Sequence, residues 1–505
     1  MVALTRRGLL GGLASTSLMG SIGCDGDGAE TVPAAGCEDA APRLLVDPGQ
    51  ACDDGSFEQL VQAIIAASHE ETFDIVASEL RGGLDLATLL AVNFQVAVRV
   101  VTPSAGAVMH SLLSVSSANM IGAGVAPPMQ LAAVLWSTGN VKGEQGGPQT
   151  PLPPLDEGAL PRSASAARQL LIDGIDGFDA DAADAGAAAL LRLSGPDELV
   201  QILLRNSARE GDAHRQIFPG QCFRSLDMFG WGCAERVMRC LARVMAEGPG
   251  AAESTFASSL ELSKTVDVSG TDYNLPQVLA WLASGRDIGA EELRDATALA
   301  LNDGLAPDAL WDGLLAVGAE VLLRGNGGAG LHYFDAVNAL RSGAARAKSA
   351  ELTALFLLQA ASFIPALRID GQNFMYPPPF QEVNIDQLEP GVAPKSLELL
   401  FESGGNGRGN VYDPSPAFDA MAWFAAGGSV CDYVTRGREL VVQKGQADAH
   451  FYKFPAAVFE EIERVDAFWV PRFLATELLV NPSPTTHDDW GRLEQTLELA
   501  AELGL

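Results

Sequence analysis

The chain contains only six histidines, and four of them stand in matching local settings. These are Val108-Met109-His110-Ser111, Asp212-Ala213-His214-Arg215, Gly330-Leu331-His332-Tyr333 and Ala449-His450-Phe451-Tyr452. By subtraction they are 104, 118 and 118 positions apart. Each follows a Gly or Asp within a few positions and opens a run of helical spacing. The positive end of a helix disfavours a protonated ring, so these imidazoles are expected to be neutral. Neutral imidazole can bind a transition metal (Fe, Cu or Zn) or accept a proton as a general base. The bland alternative for any one of them is a core or capping histidine that meets a local hydrogen bond.

Helpers stand one turn further along the same segments: Ser114 after His110, Asp335 after His332 and Lys453 after His450. Asp335 is expected to orient a histidine. Tyr452 and Lys453 are expected to position or polarise an oxygenated substrate. Burying a lysine against Phe454 and Ala457 is costly unless something anionic meets it. His450 and Lys453 are therefore expected to share a cavity with His332, with Lys453 facing a ligand carboxylate, phenolate or enolate. Alternatively, Lys453 pairs with Glu460 or Glu461 and His450 caps a neighbouring helix. Gly325-Asn326-Gly327-Gly328-Ala329-Gly330 formally matches a dinucleotide-binding glycine pattern, but it follows a helical run and lacks a βαβ context. It reads as a flexible connection that swings His332 into place. Gly230-Trp231-Gly232 reads as a tight turn.

The segments that must position these groups are helical. Phe57, Leu60, Val61, Ile64 and Ile65 have helical spacing. Comparable runs fall at 88–101, 129–136, 165–172, 186–193, 198–204, 233–246, 276–283, 291–300, 308–323, 350–367, 417–425 and 492–502. Ala and Leu dominate, and β-branched alternation is rare. The expectation is an all-α fold: one large multi-helical domain, residues 51–505, built of stacked helix pairs that each present a histidine. Residues 143–164 and 370–415 are expected to be irregular, the latter as a loop covering the site.

The N-terminus has a different character. Arg6 and Arg7 lead a mildly hydrophobic Gly/Ser/Ala run that ends at Gly23-Cys24, the pattern of a twin-arginine signal peptide over 1–24. Cys24 in that position suggests a lipobox and lipidation; a plainly cleaved signal is the alternative. Residues 25–50 read as a flexible tether. No run is long and apolar enough to span a bilayer, so membrane attachment would be through the lipid anchor only. Export to the periplasmic or cell-surface side would permit disulfides, and Cys37 with Cys52 is one plausible pair. With 33 basic and 64 acidic residues the net charge is −31, which argues against nucleic acid as a partner.

Several segments also resemble a family of exported, all-helical bacterial proteins to which no established activity attaches. They are MHSLLSVSSANMI from Met109, WSTGNVKGEQ from Trp136, REGDAHRQIFPGQCFRSLDMFGWGCAERVMRCLA from Arg209, LHYFDAVNALRS from Leu331, LTALFLLQAASFIP from Leu352, KGQADAHFYKFPAAVFEE from Lys444 and FWVPRFLA from Phe468. The most specific block is the last histidine with its following Tyr452-Lys453-Phe454. More distantly, the layout resembles the questin oxidase-like family. That resemblance implies an α-helical oxygenase-type enzyme acting on polycyclic quinone substrates with NADPH as reductant. The chain departs from the pattern at Asn119, where a second histidine is expected, and at Phe451, where an acidic residue is expected. An exported protein meets no NADPH pool, which puts that cofactor in doubt.

Two readings of function compete. One is an oxidoreductase whose pocket, lined by His110, His214, His332 and His450, takes a phenolic, ketonic or polycyclic small molecule. It works either through a histidine-held metal or through a neutral histidine as base. The other is a non-catalytic ligand-binding or scaffold lipoprotein with structural histidines. Convergence of the four imidazoles favours the enzyme; scatter over separate helix ends favours the scaffold.

Overall fold

Runs of Leu, Ala and Val broken by Gly and Pro have few ways to bury their apolar faces except helix against helix. A computed structural model describes residues 57–505 apart from 101–108, 145–151, 210–212, 248–252, 287, 326, 370–382, 392, 406–412 and 446–448. The signal, the tether, Cys24, Cys37 and Cys52 lie outside the described residues. Those described belong to one compact unit, Gly36–Leu505, and form an all-α fold with no strand among them.

The helices run α1 Glu58–Ala66, α2 His69–Arg81, α3 Leu86–Val100, α4 His110–Gly122, α5 Pro127–Glu144, α6 Ala164–Asp176, α7 Ala180–Ser194 and α8 Pro196–Ser207. They continue with α9 His214–Phe229, α10 Ala234–Met245, α11 Glu253–Ser263, α12 Leu275–Ser284, α13 Ala290–Asn302, α14 Pro307–Leu323 and α15 Gly327–Arg346. The last are α16 Ala350–Ile369, α17 Leu397–Glu402, α18 Ser415–Ala425, α19 Val430–Lys444, α20 His450–Glu461, α21 Val470–Glu477 and α22 Leu493–Leu503.

Sequential pairs do stack: α4 on α5, α6 on α7 and α14 on α15. The histidine helices do more than that. α4 packs on α9, α9 on α15, α15 on α20, and α20 back on α4, closing a central ring of four. This ring is buried almost throughout. Trp136 of α5 lies flat on Tyr452 of α20, with ring centroids 3.5 Å apart.

Three local expectations are corrected. The Gly-rich stretch is no hinge, because Gly327, Gly328 and Gly330 form the first turns of α15. A Cβ on Gly330 would come within 2.6 Å of the Leu322 backbone nitrogen, so the glycine permits close approach of α15 to α14. Consequently His332 sits in the second turn of its helix, whereas His110, His214 and His450 are the first residues of theirs. The span 370–415 is not wholly irregular: it contains α17 and a 3₁₀ turn, Ile385–Gln387. That turn is pinned to α14, since the Ile385 N–H donates to Glu320 and Arg286 bridges Glu320 to Asp386.

Candidate metal centre

The four ring helices carry histidine in their first or second turn, and the imidazoles meet one another across the ring. The imidazoles follow the same cyclic order as the helices. Ring centroids are 5.9 Å apart for His110 and His214, 5.0 Å for His214 and His332, 4.6 Å for His332 and His450, and 5.0 Å for His450 and His110. One ring nitrogen from each of His110, His214 and His450 lies within 4.8 Å of the other two. His332 joins them through its Nε2, 2.9 Å from Nε2 of His450. His110 is buried and the other three are half-buried. Phe218, one turn after His214, packs against both His110 and His214.

The tautomer of His332 is fixed by its surroundings. Its Nδ1 lies 2.6 Å from the carbonyl oxygen of Gly328, one turn back on α15. A carbonyl only accepts, so Nδ1 carries the proton and Nε2 presents its lone pair toward the other histidines. Burial, followed by the charges of Lys453 and the neighbouring imidazoles, holds His332 well below the ordinary histidine range. It is therefore neutral, the state that metal ligation requires.

Beneath the histidines, α15 and α20 face each other along a polar seam. Lys453 Nζ lies 3.1 Å from Asp335 Oδ2, with both side chains almost completely removed from solvent. The pair meets charge to charge, without a well-aligned hydrogen bond and, among the described residues, without another hydrogen-bond partner for either group. Burial pushes the Asp335 carboxyl up to about 6 despite the opposing pull of Lys453 and Arg224. One turn further along, Asn338 donates to Glu460 (2.9 Å) and Glu461 (2.7 Å), and Arg341 pairs with Glu461 (2.8 Å).

These contacts correct the roles expected for two residues. Asp335 does not orient a histidine; the Gly328 carbonyl does that for His332. Lys453 does not pair with Glu460 or Glu461, which are engaged by Asn338 and arginines, but with Asp335 across the helix interface. Tyr452 is buried away from solvent against Trp136, and burial holds its phenol well above the ordinary range. Ser114 donates to the backbone of Ser111, within its own helix. Asn119, where the resemblance calls for histidine, is buried beside Met228 of α9.

A cavity of about 870 Å³ opens toward the C-terminal ends of the same four helices. Its lining includes Met120, Arg224, Arg341, Arg346, Trp311 and Glu460, and none of the four histidines. Sequence reasoning missed it because its charged side chains come from separate helices and share no local pattern.

Cys233 and Cys431 each take part in a disulfide bond, whereas Cys222 and Cys240 are buried. Comparison of the chain with family models, curated proteins and solved structures returned no match.

Proposed function

We propose that this chain is an exported oxidoreductase whose reactive centre is a transition metal held by His110, His214, His332 and His450. Its substrate would be a phenolic, ketonic or polycyclic small molecule, as the questin oxidase-like resemblance implies. The observation that carries the reading is the convergence of histidines drawn from helices more than 100 positions apart in sequence: ring nitrogens of His110, His214 and His450 lie within 4.8 Å of one another, and His332 Nε2 lies 2.9 Å from His450 Nε2. Hydrogen-bond fixtures at separate helix ends would have no reason to converge. The second support is electrostatic. Lys453 is matched by Asp335, so the charge that meets an anionic substrate oxygen must come from another source, and a metal dication supplies it. The disulfides that Cys233 and Cys431 each enter suit export to an oxidising compartment.

In this reading the protein's own contribution is to hold neutral donors in place. Gly328 sets the His332 tautomer, Phe218 supports two rings, and the positive ends of α4, α9 and α20 keep protons off the imidazoles. When bound, the metal supplies Lewis acidity and a one-electron couple. The reductant in an exported setting is either the substrate itself or a donor other than NADPH.

Elemental analysis of folded, exported protein tests the proposal. A near-stoichiometric transition metal is expected, and it should be lost from His110→Ala, His214→Ala and His450→Ala proteins that retain their helical circular dichroism. Metal-free wild-type protein that also fails to take up Fe, Cu or Zn would overturn it.

A further inference from the structure

The four ring helices run parallel, so the two ends of the ring are not alike. Ser116 of α4 meets Gln221 of α9, and Asn119 meets Met228 further along. Arg224 of α9 reaches Asn338 and Ser342 of α15, while Asp335 and Asn338 of α15 meet Lys453 and Glu461 of α20. In each pair the contacts advance in the same direction from the histidines. The four N-termini therefore lie at the histidines and the four C-termini at the opposite end, about 15 Å away along α20. We infer that the cavity of about 870 Å³ at that opposite end is a second ligand site, distinct from the metal centre and built for an organic cation with an apolar body.

The backbone sets the sign first. A helix C-terminus carries about half a negative charge on its unpaired carbonyls, and residues from the last turns of all the ring helices reach this cavity. The N-termini of α14 and α16 also reach its lining and offset part of that charge.

The side chains add to it. Four guanidiniums line the cavity, those of Arg224, Arg341, Arg346 and Arg464, and each is already engaged. Glu460 meets Arg224 and Arg464, Asp227 meets Arg346, and Arg341 alone serves Asp308, Asp312 and Glu461. With Glu463, six carboxyls share four guanidiniums. Even with Asp312 half protonated near neutral pH, where burial pushes it up to about 7, the balance stays negative.

Placement decides what a ligand meets on entry. Arg224 and Arg341 are buried, their side chains 13% and 9% exposed, whereas that of Asp308 is 76% exposed. Glu463 is exposed and makes no ion pair among the described residues. Burial holds its carboxyl above the ordinary range against the pull of Arg438 and Arg464, so neither arginine satisfies it. Arg346 and Arg464 reach solvent too, but as members of existing pairs. Between the charges lie Trp311, Met120 and Met228. An indole face attracts a cation, and methionine adapts its soft side chain to an apolar body. The volume suits a small organic molecule.

Isothermal titration of the full-length protein with benzyltrimethylammonium chloride and with sodium benzoate tests this. Saturable binding of the cation and none of benzoate are expected. Glu463→Gln and Asp308→Asn should each weaken the cation about 3-fold. Trp311→Leu should weaken it about 10-fold. Trp311 is buried, so that variant counts only where it keeps its helical circular dichroism, and the two carboxylate variants decide without it. Benzoate binding that is lost in Arg346→Gln would make the cavity an anion site and overturn the inference. Absence of cation binding, or cation binding unchanged in both carboxylate variants, would overturn it as well.

Discussion

At the residue scale the most unusual group is Lys453. A lysine and an aspartate, both stripped of water and aligned poorly for hydrogen bonding, cost several kcal/mol to bury, and mutual attraction returns only part of that. A core chosen for stability alone would fill the seam between α15 and α20 with leucine. Removing one partner should therefore be worse than removing both. Lys453→Met keeps the length and apolarity of the side chain but strands the Asp335 carboxyl, whose pKa of about 6 then loses its main lowering influence. A destabilisation of about 3 kcal/mol is expected for Lys453→Met, with most of it recovered in the Lys453→Met/Asp335→Leu double variant. Urea denaturation of the two proteins checks this. Equal stability of Lys453→Met and wild type would show that the pair contributes nothing. Both residues were visible in the sequence as neighbours of histidines at helical spacing. Their partnership was not, because spacing along one helix carries no record of which side chain on another helix it meets.

At the scale of elements, two backbone positions set where the clustered histidines stand. Gly330 lets α15 approach α14 so closely that an added Cβ would also fall 2.6 Å from the Leu322 Cβ. Gly330→Ala must push α15 outward, and His332 lies only two residues further on. A loss of about 1–3 kcal/mol is expected, with weaker metal uptake measured by titration of stripped protein. The second position is Ala213, directly before His214, with a φ of 76°. An alanine in the left-handed region carries strain of about 1–2 kcal/mol, and such strain gathers where function over-determines geometry. Ala213→Gly should accordingly hold its thermal midpoint or raise it. A clear fall in that midpoint would show that the backbone there is unstrained. The existence of most helices was legible from apolar spacing, including the starts of α4, α9 and α20. The glycines of α15 misled because Gly-rich sequence is also what a hinge looks like. Only packing against α14 distinguishes close approach from flexibility.

At the scale of the whole molecule, buried carboxyls and net charge act in the same direction on pH. Burial pushes Glu477 and Asp312 up to about 7 and Asp335 up to about 6. Glu477 is enclosed with Tyr433 and Asn481, and Asp312 with Tyr273 and Arg341. A carboxyl with a raised folded pKa binds its proton more tightly in the native state than in the unfolded chain. Its contribution is thus fully present below about pH 4 and is lost as pH rises through 6 to 7, by up to about 3 kcal/mol for a shift of that size. Glu460 works the other way: its pKa is lowered, and its contribution is lost as pH falls below the ordinary carboxylate range. The net charge of −31 adds self-repulsion that grows with deprotonation. Together these place the stability maximum near pH 5, with a thermal midpoint several degrees lower at pH 8. Glu477→Gln keeps the shape of the side chain but cannot ionise, so its decline between pH 5 and 7 should be shallower than that of wild type. High salt should lift the pH 8 value by screening the surface part while leaving the buried part in place. Midpoints measured by differential scanning fluorimetry across pH 4–9, with and without salt, decide the matter. A curve that is flat or rising between pH 5 and 8 would mean that these carboxyls are ionised in the folded protein and held by their partners.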